Sequence, residues 1–314
     1  MKKIQGTAML VGAALIWGVA LVEQKLASAS VGAFTFNAAR CFIGSLFLLV
    51  LALIRKKAGM EEKRISDPDG SGTEDKKSGF PGLAAGGIVC GVTLFAMTSF
   101  QQFGIGAYPD GVPASGRGGF LMSTYVVMVA LVSGITGKKI HPLVYVSVGG
   151  CLFGMYFICM SGGFSGFYLG DLLMLLSAAG STAHIIAVSK CASFDGVKVS
   201  CMQFAVCTLL SLVCAFIFES PSAEAVSKAI FPILYMGIMS SGIAYTLQMY
   251  GQRHVEPAVA AVAMGLESVF AALGGWAFLG ETMLPREILG CVLVFAAVIL
   301  AQIPDIIAEK RKRS

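Results

Sequence analysis

The chain of 314 residues is 56% hydrophobic and only 13% charged, with a mean hydropathy of +0.79. A soluble domain carries roughly 45–50% apolar and about 25% charged residues, so this composition excludes a soluble enzyme or binding module and marks a membrane protein. The net charge of +5 calls for no nucleic-acid partner, because the basic residues sit beside apolar runs rather than in a patch of their own.

Ten apolar segments come close to the roughly 20 residues that a bilayer core requires. In chain order they are predicted at about 6–24, 34–54, 80–101, 117–136, 143–161, 169–188, 199–218, 230–250, 257–279 and 286–303. The first run continues through Trp17 to Val22 without a small-residue cleavage site, so it reads as a retained span rather than a signal peptide. Between the second and third spans lies a polar insert, Arg55 to Gly79, rich in glycine and opposed charges. It is expected to be a mobile loop with little part in the chain's function. The stretch SGGFSG from Ser161 to Gly166 separates five spans from five. The organisation is therefore 1–162 with its loop at 55–79, then 167–306, then a basic tail at 307–314.

The two halves repeat each other. VPASGRGGFLMSTYVVMVALVSGITGKKI, from Val112 to Ile140, aligns without a gap on VEPAVAAVAMGLESVFAALGGWAFLGETMLP, from Val255 to Pro285. Pro113 faces Pro257, Ser123 faces Glu267, Val132 faces Trp276 and Gly137 faces Glu281. GTAMLVGAALIWGVALVEQK from Gly6 likewise matches GDLLMLLSAAGSTAHIIAVSK from Gly170. The offset between copies is larger for this second pair, and the polar insert, present only in the first half, accounts for the difference. Since five is odd, the second half enters the membrane from the opposite side. The expected fold is all-α, with ten transmembrane helices as two inverted five-helix repeats, the build of a secondary transporter.

Positive charge sets the orientation. With the N-terminus inside, the inner set holds Lys2 and Lys3, Arg55, Lys56, Lys57, Lys63, Arg64, Lys76 and Lys77. It continues with Lys138, Lys139, Lys190, Lys198, Arg253 and the tail Lys310 to Arg313. Only Lys25, Arg40, Arg117, Lys228 and Arg286 fall outside or within spans. Both termini are expected in the cytoplasm of a multi-pass cell-membrane protein, the basic tail touching anionic lipid.

Polar groups within spans are the candidate site, because their burial in lipid is costly. Glu267 lies near the middle of the ninth span. It either binds a proton or cationic group, or accepts hydrogen bonds from a neighbouring helix. Arg40, near the outer end of the second span, either attracts an anionic group or snorkels to the interface and pairs with Glu23. Arg117 opens the fourth span. It either holds a carboxylate or phosphate through its guanidinium fork or anchors the interface. His184, deep in the sixth span, is a hydrogen-bonded structural residue or a proton relay. Trp17, Tyr125 and Tyr245 offer aromatic faces or serve as belt residues, although Trp17 is deep for a belt. Gln101 and Gln102 supply amides or mark the end of the third span. Gly87xxxGly91 and Gly150xxxGly154 are packing faces. The nine cysteines show no CxxC and no metal spacing, and Cys201, Cys207 and Cys214 read as small apolar filler. No metal and no cofactor is expected.

These marks resemble the EamA family of the drug/metabolite transporter superfamily over about residues 6–303. They are Trp17-Gly18 with Lys25, Arg40 opening the second span, FLMSTYVVMV in the fourth and Gly170-Asp171 opening the sixth. Tyr245 to Tyr250 closes the eighth span, and LESVFAALGGWAFLGE carries Glu267 and Glu281. The resemblance implies inverted five-helix repeats, export or uptake of small metabolites such as amino acids, and a pathway lined by the first helices of each bundle with the fourth and ninth. The chain departs from the family at Ser268, where proline is usual, at Gly137-Lys138, where a carboxylate is usual, and at Ser181, where tryptophan is common.

The expected function is secondary transport of a small, amino-acid-like metabolite by alternating access, with a proton as candidate coupling ion. Trp17, Arg40, Arg117, Tyr125, His184, Tyr245 and Glu267 are its expected substrate contacts. A vitamin, a nucleoside or a cationic drug-like compound is the alternative cargo. No GxxxxGK[ST] motif is present for ATP, and no DDxxD, HExxH or GxSxG supports an intramembrane enzyme, which with a receptor or a lipid scramblase forms the weaker alternative. Expected partners are the small-molecule substrate and membrane lipid. Both a monomer and a homodimer stay open.

Overall fold

The computed structural model describes residues 2–28, 30–58, 80–109, 114–137, 140–160, 166–279 and 284–311. The insert beyond residue 58, Lys138, Lys139, the linker from Ser161 to Ser165, Glu281 and the last three residues lie outside the described residues. So do the side chains of Glu23, Lys25, Arg117 and Trp276.

Among the described residues every element is helical, and ten helices or helix pairs are long and apolar enough to span a bilayer. The first is Lys2–Ser28, the second Ala33–Lys57 and the third Leu83–Gly106. The fourth joins Ala114–Ser123 to Tyr125–Ile135, and the fifth is Pro142–Cys159. The sixth is Leu169–Lys190 and the seventh Gly196–Phe218. The eighth runs Ile230–Gln252, the ninth joins Pro257–Met264 to Leu266–Leu279, and the tenth begins at Pro285.

Local chemistry sets several starts. Pro142 and Pro257 stand at first-turn positions, where the missing N–H costs nothing. The Asp195 carboxylate caps the seventh span by accepting from the Val197 and Lys198 amides. Asp171 accepts from the Tyr168 amide at 2.9 Å and from the Tyr108 hydroxyl at 2.9 Å, tying the third span to the sixth.

Two expected boundaries are corrected, and one span holds an unforeseen irregularity. The third span runs to Gly106 rather than stopping at the glutamines, because Gln101 turns inward. The tenth helix continues through Pro304 to Arg311, although proline there predicts a stop. The eighth contains a nine-residue π-helical stretch, Met236–Ala244, that no pattern announces.

Small residues let the spans approach closely. A Cβ on Gly87 or Gly91 would meet Met202 or Val206 of the seventh span within 3 Å, and one on Gly154 would meet the Gly290 carbonyl of the tenth at 2.8 Å. These are the packing faces expected from the sequence. Large apolar side chains such as Phe42, Val213, Phe216, Phe231 and Ile299 point outward, as lipid contact requires.

Polar contacts group by membrane side. Arg55 donates to Tyr250 at 2.9 Å and reaches Asp195 at 3.5 Å, and Thr7 donates to Gln302, at the end that holds both termini. Glu219 accepts from Phe34 and Thr35 at the other end. This is the alternation that ten antiparallel crossings demand.

The distribution of basic residues leads to the expectation that the terminal end faces the cytoplasm. A cysteine introduced at Gly70 is expected to react with an impermeant thiol reagent only after the cells are permeabilised. Labelling of intact cells would reverse the assigned orientation.

Candidate functional site

Between the spans lies a cavity of about 80 Å³. It adjoins an apolar cluster that includes Leu10, Ala14, Val126, Val129 and the continuous run Ala258 to Met264, all nearly fully buried, with Tyr125, Ile185 and Met264 common to both.

Six of the seven side chains expected at the site meet here: Trp17, Arg40, Tyr125, His184, Tyr245 and Glu267. They come from six different spans. The seventh, Arg117, lies in the helix Ala114–Ser123, with its side chain outside the described residues.

Two of the six acquire their position from local helix irregularities. At Thr124 the fourth span tightens by one residue, where the Ser123 and Thr124 hydroxyls bond back to the Gly119 and Leu121 carbonyls. Such back-bonding bends a helix. Tyr125 begins the helix that follows. The ninth span tightens likewise at Gly265, whose Cβ-less backbone lies against Met155 and Cys151, and Glu267 sits in the first turn beyond it.

Arg40 does not snorkel. It is only 5% exposed and turned inward, its Nε donating to Asn37 Oδ1 at 2.9 Å. No acceptor among the described residues meets its two terminal nitrogens, and the residue lines the cavity. The proposed alternative partner, Glu23, has its side chain outside the described residues. Glu267 also lines the cavity, and no donor among the described residues reaches its carboxylate. The wall therefore carries one cation and one carboxylate that do not neutralise each other in an ion pair.

The aromatic side chains form a connected group. Tyr245 packs edge-on against Trp17 at 4.9 Å, His184 at 5.7 Å and Phe204 at 5.2 Å between ring centres. His184 shares a 3.0 Å hydrogen bond with Gln203. Trp17 Nε1 and Gln248 Oε1 are buried at the wall without a partner among the described residues. An unmet donor and an unmet acceptor beside a cavity are what a polar ligand would satisfy.

The sequence passed over several lining groups. Thr98, Ser240, Gln248 and four methionines (Met97, Met122, Met236 and Met264) carry no motif, and the methionines read as filler until their common face is seen. Ser181, noted only as a departure from the family pattern, lines the wall as well, as does Gln101, which lies inside its helix rather than at its end. Asn37 was missed altogether. Its signal was there, a polar amide three residues from Arg40 and so on the same helix face.

The pattern of the EamA-like transporter family matches residues 4–160 and 168–302. A protein of Archaeoglobus fulgidus called an uncharacterized transporter is 30% identical over 304 residues, covering 96% of this chain and 87% of its own. The uncharacterized transporter YoaV of Bacillus subtilis is 23% identical over 298 residues, covering 93% and 94% of the two chains. One solved crystal structure superposes with a TM-score of 0.76 over 95% of this chain and 98% of that one. At 18% identity it shows the fold alone.

Proposed function

Because this chain belongs to the EamA-like transporter family and is a multi-pass membrane protein, we propose that it carries a small, amino-acid-like metabolite by alternating access through the central cavity. The observation that carries this reading is the pairing of an inward Arg40 with a Glu267 carboxylate, both in the cavity wall and neither engaged in an ion pair among the described residues. A zwitterion offers a carboxylate to the first and an ammonium to the second. The aromatic group at Trp17 and Tyr245 adds ring faces suited to an ammonium or an apolar side chain.

The Glu267 carboxylate accepts either an ammonium or a proton, and the two exclude each other there. Exchange between them would couple substrate movement to a proton gradient. The pairing of the second span with the seventh, the fourth with the ninth and the fifth with the tenth supports two inverted repeats about the cavity. The family and the transporter relatives favour transport over the enzyme reading.

Counterflow into proteoliposomes tests the proposal. Vesicles loaded with unlabelled substrate should accumulate the labelled form of at least one L-amino acid, and empty vesicles should not. Accumulation of nucleosides, vitamins or permanent cations only, with no amino acid carried, would replace the zwitterion reading with that class of cargo. No counterflow of any of them would refute transport.

A further inference from the structure

We propose that Asn37 and Arg40 form a preset subsite for one carboxylate of the transported molecule, with Asn37 as the positioning residue. The inference rests on the central cavity being the substrate site.

Its basis is a buried network that assigns the nitrogen and oxygen ends of one amide. Asn37 is 5% exposed. Its Nδ2 donates to Ser211 Oγ at 2.8 Å on the seventh span and to Thr98 Oγ1 at 3.1 Å on the third. Thr98 spends its own hydroxyl proton on the Leu94 carbonyl at 2.9 Å, so toward Asn37 it can only accept. That fixes which end of the amide is nitrogen. The oxygen is left facing Arg40, and Nε donates to it at 2.9 Å. A flipped amide would set donor against donor.

The consequence lies in the guanidinium. With Nε occupied, only the two terminal nitrogens remain, and no acceptor among the described residues meets them. A planar guanidinium so held presents an end-on pair of N–H donors, the geometry a carboxylate accepts through both oxygens. Holding Nε with a neutral amide also matters. It orients the fork without cancelling its charge, as an aspartate at the same place would. Three spans thus meet to aim one side chain, and the aiming residue need not touch substrate.

The test uses the full-length protein in lipid nanodiscs, with binding measured for the twenty L-amino acids and for the amine that each would leave on losing its carboxylate. The wild type should bind at least one amino acid at least tenfold more tightly than its amine. Asn37→Asp, which keeps an acceptor for Nε but neutralises Arg40 and loses the two donated bonds, should erase that preference while amine binding persists. Arg40→Met should erase it too. A merely structural role for Asn37 would weaken amino acid and amine alike. Should Asn37→Asp not fold, Ser211→Ala removes one prop of the amide from outside the cavity and should lower the preference by roughly threefold or more.

The outcomes separate two failures. If Arg40→Met abolishes the preference and both the Asn37→Asp and Ser211→Ala variants retain it in full, the positioning role is wrong and the cavity reading stands. If no amino acid binds the wild type, or Arg40→Met changes nothing, the zwitterion reading falls and this inference with it.

Discussion

Glu267→Gln is expected to reduce substrate uptake driven by a pH gradient to background, while exchange between loaded vesicles persists at saturating substrate. Glutamine fills the same space and keeps one acceptor, but it neither ionises nor takes up a proton. The lost charge-assisted hydrogen bond is worth about 1.5–3 kcal/mol, so the half-saturating concentration in exchange should rise roughly 10- to 150-fold. The carboxylate lines the cavity and has no donor among the described residues, so the substitution strands no protein partner there. A structural acceptor would behave otherwise: its loss would lower both activities together with thermal stability. Normal gradient-driven uptake by a well-folded glutamine variant would end the coupling role.

The second large effect is expected at Gly18→Val. The first span lies directly on the backbone of the ninth at this point. A Cβ on Gly18 would stand 2.8 Å from the Ala271 nitrogen, 2.9 Å from the Glu267 carbonyl and 2.7 Å from Phe270 Cβ. Backbone cannot rotate aside as a side chain can, so the two spans must separate. Overpacking typically costs about 1–3 kcal/mol, and a branched side chain against backbone belongs at the upper end. Because Trp17 precedes Gly18 and Glu267 lies opposite, that separation also spreads the cavity. The expected readout is a lowered thermal midpoint and loss of substrate-induced stabilisation. Gly149→Ala is the control: a Cβ there meets nothing within 4 Å, and both readouts should match the wild type. A Gly18→Val protein with normal stability and binding would show that the contact is not tight.

Much of the candidate site is legible in the sequence, for an electrostatic reason. Charged and strongly polar side chains are expensive in lipid, so those that occur within apolar runs stand out by themselves. Arg40, His184 and Glu267 were found that way, and Trp17 by its depth. The same logic failed for groups that are polar without being costly. Thr98 satisfies its hydroxyl on the preceding turn of its own helix, so nothing in the sequence distinguishes it from a packing threonine. Asn37 escaped notice because its partners, Thr98 and Ser211, stand 61 and 174 positions away.

The irregularities divide in the same manner. Gly265 in the ninth span is a visible weak point, whereas the tightening at Thr124 depends on hydroxyls that bond to carbonyls only once the helix exists. The π-helical stretch Met236–Ala244 sets Gly237 and Gly242 against Ile43 and Phe47 of the second span, a fit between distant segments that no local propensity describes.

By itself the sequence determined the number of spans and their approximate places, because length and hydropathy against a bilayer of fixed thickness decide those matters, and its motifs pointed to the family. Tertiary structure alone decided which face of each span turns inward. In a soluble helix the apolar stripe marks the interior, but here both lipid and core are apolar, and the stripe that would separate them disappears. Only the packed assembly could turn Phe216 outward and Phe204 inward on the same helix, or bring four methionines from four spans around one cavity.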